Sequence, residues 1–337
     1  MTGKELLIQT LKHHRTEQLP WVPLIGVHAG KLTGYSAEEV LTDEDKLFES
    51  VMAVNQIYTP DGMPIYFDIQ FEAEILGCEL FWSHNSPPSV NSHPLADHNQ
   101  IPEKIPTAEE GRLGLTLRVM RRVKDEIGDQ VALFGLVTGP LTIAYHLRGR
   151  QIFLDVLREP EYLSDLLRYT SRVTQAISTY FIEAGMDLIG VIEPVTSLIS
   201  PDTFASVLLE NYREIFTHIR DLETYSMLHI CGRAGHITDL VCQTGTDVFS
   251  VDENVDLNAI KPITDQHQVV LQGNLPIVSH LLPGTPQQNT DYLLNLLATL
   301  PNHQNLIISP GCDMPYDTPI ENVTAVIKAI REFKAIR

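Results

Sequence analysis

Two short segments of this chain carry side chains that suit a soft metal ion. Leu228-His229-Ile230-Cys231-Gly232 sets an imidazole and a thiol two residues apart at the end of an apolar run, and Ser309-Pro310-Gly311-Cys312-Asp313 ends a later run with a third donor. Alternate residues of a strand point to one face, so His229 and Cys231 share a side. Two sulfurs and one imidazole suit Zn2+, and three protein ligands leave a fourth position free for substrate, the pattern of a catalytic zinc site. The competing reading makes Cys231 a small buried hydrophobe and His229 a satisfied core residue. Cys312, arriving from a different strand end, favours the metal. Cys78 and Cys242 have no such context and read as packing residues, and four scattered cysteines in 337 residues do not make a disulfide framework.

Such donors must be positioned by rigid elements. Apolar or β-branched runs bounded by Gly, Pro or Asp occur at 21–26, 64–67, 131–137, 188–193, 225–231, 248–252, 269–273 and 306–309. Helical periodicity fills most of the intervals, for example 108–127, 152–184, 201–222 and 290–300, with a closing helix over 319–333. Strands buried on both faces and alternating with helices predict an α/β fold, a single (β/α)8 TIM-type barrel domain over residues 1–337. An amphipathic helical extension precedes it, and an elaborated loop, 68–107, rich in Pro, Asn, Ser and His, follows the second run. No Gly-x-Gly-x-x-Gly follows a strand and no Gly-x-x-x-x-Gly-Lys-Ser/Thr is present, so the usual nucleotide cradles find no support.

In a barrel the carboxyl ends of the strands form the mouth, where active sites lie. Asp252 and Asn274 fall at such ends and read as substrate-orienting groups, or as caps of the next helices. Asp313 reads as a group that fixes a ligand from behind. His28 reads as an exposed loop histidine. Lys31, Arg148 and Arg233 are candidates for an anionic substrate tail, or ordinary surface cations. With 24 Lys+Arg against 43 Asp+Glu, the net charge of −19 argues against nucleic acid and anionic membranes as partners. The sequence has neither an 18-residue apolar stretch nor a secretory h-region at its start, which predicts a cytoplasmic protein.

The chain resembles the uroporphyrinogen decarboxylase superfamily over most of its length, and more closely its methylcobalamin:coenzyme M methyltransferase branch. The landmarks are GMPIYFDIQFEAEILGCELFW at 62–82, TGPLT at 138–142, Ser200-Pro201 opening the helix at 202–222, LHICG at 228–232, LQGN at 271–274 and SPGCDMPYDTPIEN at 309–322. The resemblance implies that His229, Cys231 and Cys312 bind zinc. It also implies catalytic roles for Asp68, which matches the acidic position that contacts pyrrole nitrogens in the decarboxylases, and for Glu72, as a displaceable zinc ligand or an acid/base. The decarboxylases supply arginines from the loop after the first strand to hold an octacarboxylate, and here that loop, VHAGKLTG at 27–34, has none. The methyltransferase branch therefore fits better. It implies methyl transfer from methylcobalamin to a thiol such as coenzyme M, with zinc deprotonating the thiol. The corrinoid must come from a separate methylated corrinoid protein. A carrier motif Asp-x-His-x-x-Gly has only the imperfect match DQHQVV at 265–270. The alternatives are porphyrinogen decarboxylation, or a non-catalytic corrinoid- or tetrapyrrole-binding protein.

Overall fold

Seven of the apolar runs lie side by side as parallel strands, because each is apolar on both faces and is covered from within and without. The computed structural model describes residues 1–97 and 100–335. In chain order the strands are β1 (Gly62–Pro64), the short pair β2 (Leu80–Phe81) and β3 (Ser89–Val90), β4 (Ala132–Thr138), β5 (Leu188–Ile192), β6 (Tyr225–Ile230), β7 (Val248–Val251), β8 (Val270–Leu275) and β9 (Leu306–Pro310). The main sheet runs β1-β4-β5-β6-β7-β8-β9, and β2 and β3 form a separate antiparallel hairpin. Every residue of β4, β5, β7, β8 and β9 is buried. Helices connect the strands and bury one stripe each. In Leu113–Ile127, for example, Leu113, Leu117, Met120, Val123 and Ile127 face inward at three- and four-residue spacing.

The expected first strand, 21–26, is not a strand. It makes a single bridge, Trp21 to Ile308, because Pro20 and Pro23 on either side lack the N–H groups that a ladder needs. That short contact still joins the two edges of the curled sheet. Val22 N donates to Ile308 O and Ile308 N to Pro20 O, both at 2.9 Å, while Asp61 N, just before β1, donates to Trp21 O at 2.9 Å. The second strand is displaced from the expected 64–67 to Gly62–Pro64, sharing only Pro64 with it. Within the expected loop 68–107 the chain forms the helix Phe71–Ile75 and the β2-β3 hairpin; residues 98 and 99 lie outside the described residues.

Inside the curl the side chains stack in layers. Val22, Phe134, Leu188, Met227, Val248, Val270 and Ile307 form an apolar cluster that includes Leu7 and Leu11 of the amino-terminal helix Gly3–Leu11. Lys4 of that helix pairs with Asp187 at 2.7 Å, and Asp187 also accepts from Leu133 N at 3.0 Å. Two residues further along four consecutive strands the layer turns polar, with His229, Ser250, Gln272 and Ser309 all 0% exposed. Among the described residues no helix is long and apolar enough to cross a membrane.

Candidate metal centre

Above that polar layer, at the carboxyl ends of β6 and β9, three donor atoms converge. His229 is within β6 and Cys231 follows its last residue, with Gly232 at φ +79° turning the chain away in a conformation that favours glycine. Cys312 follows β9 and Gly311. A Cβ on Gly311 would lie 2.5 Å from Glu253 N, so only glycine lets the 311–312 segment pack this close. His229 Nε2 lies 3.1 Å from Cys231 Sγ, and Cys231 Sγ lies 3.1 Å from Cys312 Sγ. One donor atom from each of the three residues falls within 4.8 Å of the others.

The donor set fits a zinc ion. A tetrahedral ion with bonds of about 2.0–2.3 Å holds its ligands roughly 3.3–3.8 Å apart, so the cluster has to spread only slightly to take one. Hydrogen bonding from the Cys231 thiol, with His229 close by, holds Cys312 well below the ordinary thiol range, whereas the same bond together with burial pushes Cys231 up. That shift favours the thiolate at Cys312, the form that binds a metal.

Carboxylates surround this end of the barrel. Glu72, in the helix Phe71–Ile75, is fully buried, so it is not a solvated carboxylate. Burial pushes it up to about 8. Thr138 N donates to Glu72 Oε1 at 2.7 Å, and Thr138 Oγ1 lies 2.6 Å from Oε2 and 3.0 Å from Ile69 O. A protonated Glu72 satisfies every group: its O–H donates to Thr138 Oγ1, whose own proton goes to Ile69 O. Asp68 is buried and pairs with Arg112, whose Nε also donates to Glu74 at 2.7 Å and whose guanidinium lies over the Trp82 ring. Asp313 accepts from Gly26 N at 2.6 Å, and burial, with the neighbouring Cys312 charge, pushes it far above the usual carboxylate range. At the end of β5, the buried Glu193 accepts from Leu141 N at 3.1 Å and Thr142 N at 2.7 Å, holding the start of the helix Pro140–Arg148.

The remaining sequence candidates separate into distinct places. Asn274 Nδ2 donates to Asp252 O at 2.9 Å and Val255 O at 2.7 Å, which leaves its oxygen for any other partner. Asp252 Oδ1 accepts from Asn254 N at 2.8 Å. His28 is not exposed: it is 0% exposed, its Nδ1 donating to Tyr316 O at 3.0 Å and its Nε2 accepting from Tyr58 OH at 2.8 Å. Arg148 is likewise buried, paired with Asp155 at 2.8 Å and donating to Leu95 O at 2.6 Å, so it anchors the 68–107 segment rather than a substrate. Lys31 pairs with Asp317 at 3.6 Å, and Arg233 is exposed. Cys78 and Cys242 are buried in the core. Sequence reasoning missed Arg112, Glu193 and Ser250, and marked Thr138 only as part of the TGPLT segment without a role. Of these, Ser250 left a signal, a lone polar residue inside an apolar strand.

The fold and the site together define a barrel with a soft-donor cluster at its mouth, and comparison with known proteins places it further. The sequence matches the family described as Uroporphyrinogen decarboxylase (URO-D) over residues 2–333, and the chain belongs to that family. It is 27% identical over 342 residues to the methylcobamide:CoM methyltransferase MtbA of Methanosarcina acetivorans, covering 99% of this chain and 98% of the relative. A uroporphyrinogen decarboxylase of Nostoc punctiforme is 25% identical over 284 residues, covering 82% and 79%. The solved structure of a methyltransferase from Methanosarcina mazei superposes with a TM-score of 0.87 at 23% identity, over 98% of this chain and 99% of that one, a likeness of fold.

Proposed function

We propose that this chain is a zinc-dependent methyltransferase that moves a methyl group from a methylated corrinoid to a thiol such as coenzyme M. The observation that carries the reading is the convergence of His229, Cys231 and Cys312, two sulfurs and an imidazole, at the carboxyl end of the barrel. The methylcobamide:CoM methyltransferases among its relatives support it. A bound zinc would deprotonate an incoming thiol and keep its sulfur nucleophilic. In the transfer a sulfur–carbon bond forms and the cobalt–carbon bond breaks, its electron pair staying on cobalt as Co(I).

Within this reading His229, Cys231 and Cys312 hold the ion, and with two thiolates the site is formally neutral before substrate arrives. Glu72, poised to hold or give up a proton near neutral pH, serves as acid/base. Asp68, fixed by Arg112, shapes the mouth beside it, and Asp252 and the Asn274 oxygen orient substrate from the rim. We assign the corrinoid to a separate methylated carrier protein that docks at the mouth, and the whole reaction to the cytoplasm, where thiols stay reduced.

Porphyrinogen decarboxylation suits the mouth less well. Its octacarboxylate needs cations, and Arg112 is already shared between Asp68 and Glu74. The test is to incubate zinc-loaded protein with methylcobalamin and coenzyme M and follow the methylated thiol by mass spectrometry. The reading expects turnover that disappears on metal removal. Full activity of the metal-free protein, or failure with every thiol tried, would overturn it.

A further inference from the structure

Behind the three donors the barrel interior holds an incomplete chain of polar groups. His229 Nδ1 lies 2.9 Å from Ser250 Oγ, with Ser250 at the β7 position in register with His229 on β6. Among the described residues this is the one hydrogen bond of the Ser250 side chain, so when Nδ1 carries the imidazole proton the hydroxyl's own proton has no acceptor. The next strand sets Gln272 in register with Ser250. Gln272 is also fully buried, and its Oε1 has no partner among the described residues. Its Nε2 makes only a long contact, 3.4 Å, to Ser309 Oγ, and that hydroxyl donates to Pro310 O at 3.0 Å. With the proton on Nδ1, a buried donor without an acceptor therefore stands at the register position next to a buried acceptor without a donor. Burial makes each of them costly to leave unpaired.

We propose that Ser250 and Gln272 are positioning residues for the metal centre: His229 Nδ1–H donates to Ser250 Oγ, and, with a turn of the Gln272 amide toward it, the Ser250 hydroxyl donates to Gln272 Oε1. The proposal rests on the metal reading above. A neutral imidazole has one protonated nitrogen and one lone pair, and only the lone pair coordinates. Fixing the proton on Nδ1 leaves the Nε2 lone pair facing the two sulfurs. Coordination at Nε2 makes Nδ1–H a stronger donor, which tightens the same chain. Serine also suits the charge. With two thiolates already balancing the ion, a carboxylate acceptor would add a net negative charge to the site, whereas a hydroxyl relayed to an amide orients the ring and adds none.

The test measures zinc affinity by chelator competition in the intact protein, together with the visible absorption of the Co2+-substituted form. Ser250→Ala is expected to weaken zinc about 10–100-fold and to shift the Co2+ bands. Gln272→Met, which keeps the volume and removes the acceptor, is expected to weaken zinc by a smaller factor, and the double variant to be no worse than Ser250→Ala alone. Ser250→Thr, which restores a hydroxyl, is expected to recover affinity. Wild-type affinity and spectra in both single variants, or fully additive losses in the double variant, would overturn the relay. Equal melting-temperature losses in metal-free and loaded Ser250→Ala, with unchanged affinity, would make the serine merely structural and overturn it too. A wild-type protein that takes up neither metal would overturn the metal reading as well, so the two failures are distinguishable.

Discussion

At the amino ends of the strands the barrel interior is closed by Leu7 and Leu11 over Val22, Phe134 and Ile307, with Lys4 and Asp187 paired at the rim. At the carboxyl ends the same strands carry His229, Cys231, Cys312 and a set of carboxylates whose proton affinities are raised by burial. The first end gains stability from apolar contact and charge pairing. The second gives up that gain, holding ionisable groups where apolar ones would pack better, and such expense is usual where chemistry is done. Substitutions at the two ends should therefore separate stability from function.

The largest expected effect is at the mouth. Cys312→Ala should abolish stoichiometric zinc and lower methyl transfer by at least about 1,000-fold, the scale at which removing a central catalytic element acts, while the melting temperature of the metal-free protein stays near wild type. Elemental analysis and a turnover assay check it. At the opposite end, Leu7→Ala should cost roughly 2–4 kcal/mol, because the removed side chain is fully buried and leaves a cavity. Denaturant titration checks this, with turnover per folded molecule unchanged.

A third prediction concerns pH. The folded-state proton affinity of Glu72 is raised, so its contribution to stability is complete below the ordinary value of 4.5 and is lost as pH rises through about 8. Against Glu72→Gln, the wild type should therefore lose stability across that window. Melting curves at a series of pH values check it, and parallel curves for the two proteins would remove Glu72 from the group of perturbed carboxylates. The smallest effect is expected for Lys4→Ala, which breaks a partly exposed pair and should cost about 1 kcal/mol or less without touching turnover.

The legible parts of the sequence were those with local causes. Gly232 and Gly311 flank the two cysteines because the chain must turn or pack closely there, so LHICG and SPGCD announced themselves. The apolar runs announced the parallel strands for the same reason, being buried on both faces. The run at 21–26 has the apolar character of a strand, but Pro20 and Pro23 lack the N–H groups of a ladder and leave it a single bridge. Other features depend on approach across the fold. Glu72 meets Thr138 across 66 residues and Arg112 meets Asp68 across 44, and no local pattern encodes either encounter. His28 looked like a loop residue until Tyr58 and the Tyr316 carbonyl enclosed it.

X-ray absorption at the zinc edge of the purified protein tests the central claim most directly. The account predicts a stoichiometric ion with two sulfurs near 2.3 Å and one imidazole nitrogen near 2.0 Å, the remaining position taken by a light atom, and a sulfur shell in its place when a thiol is added. An absent ion, or a coordination shell of nitrogen and oxygen alone, would contradict it.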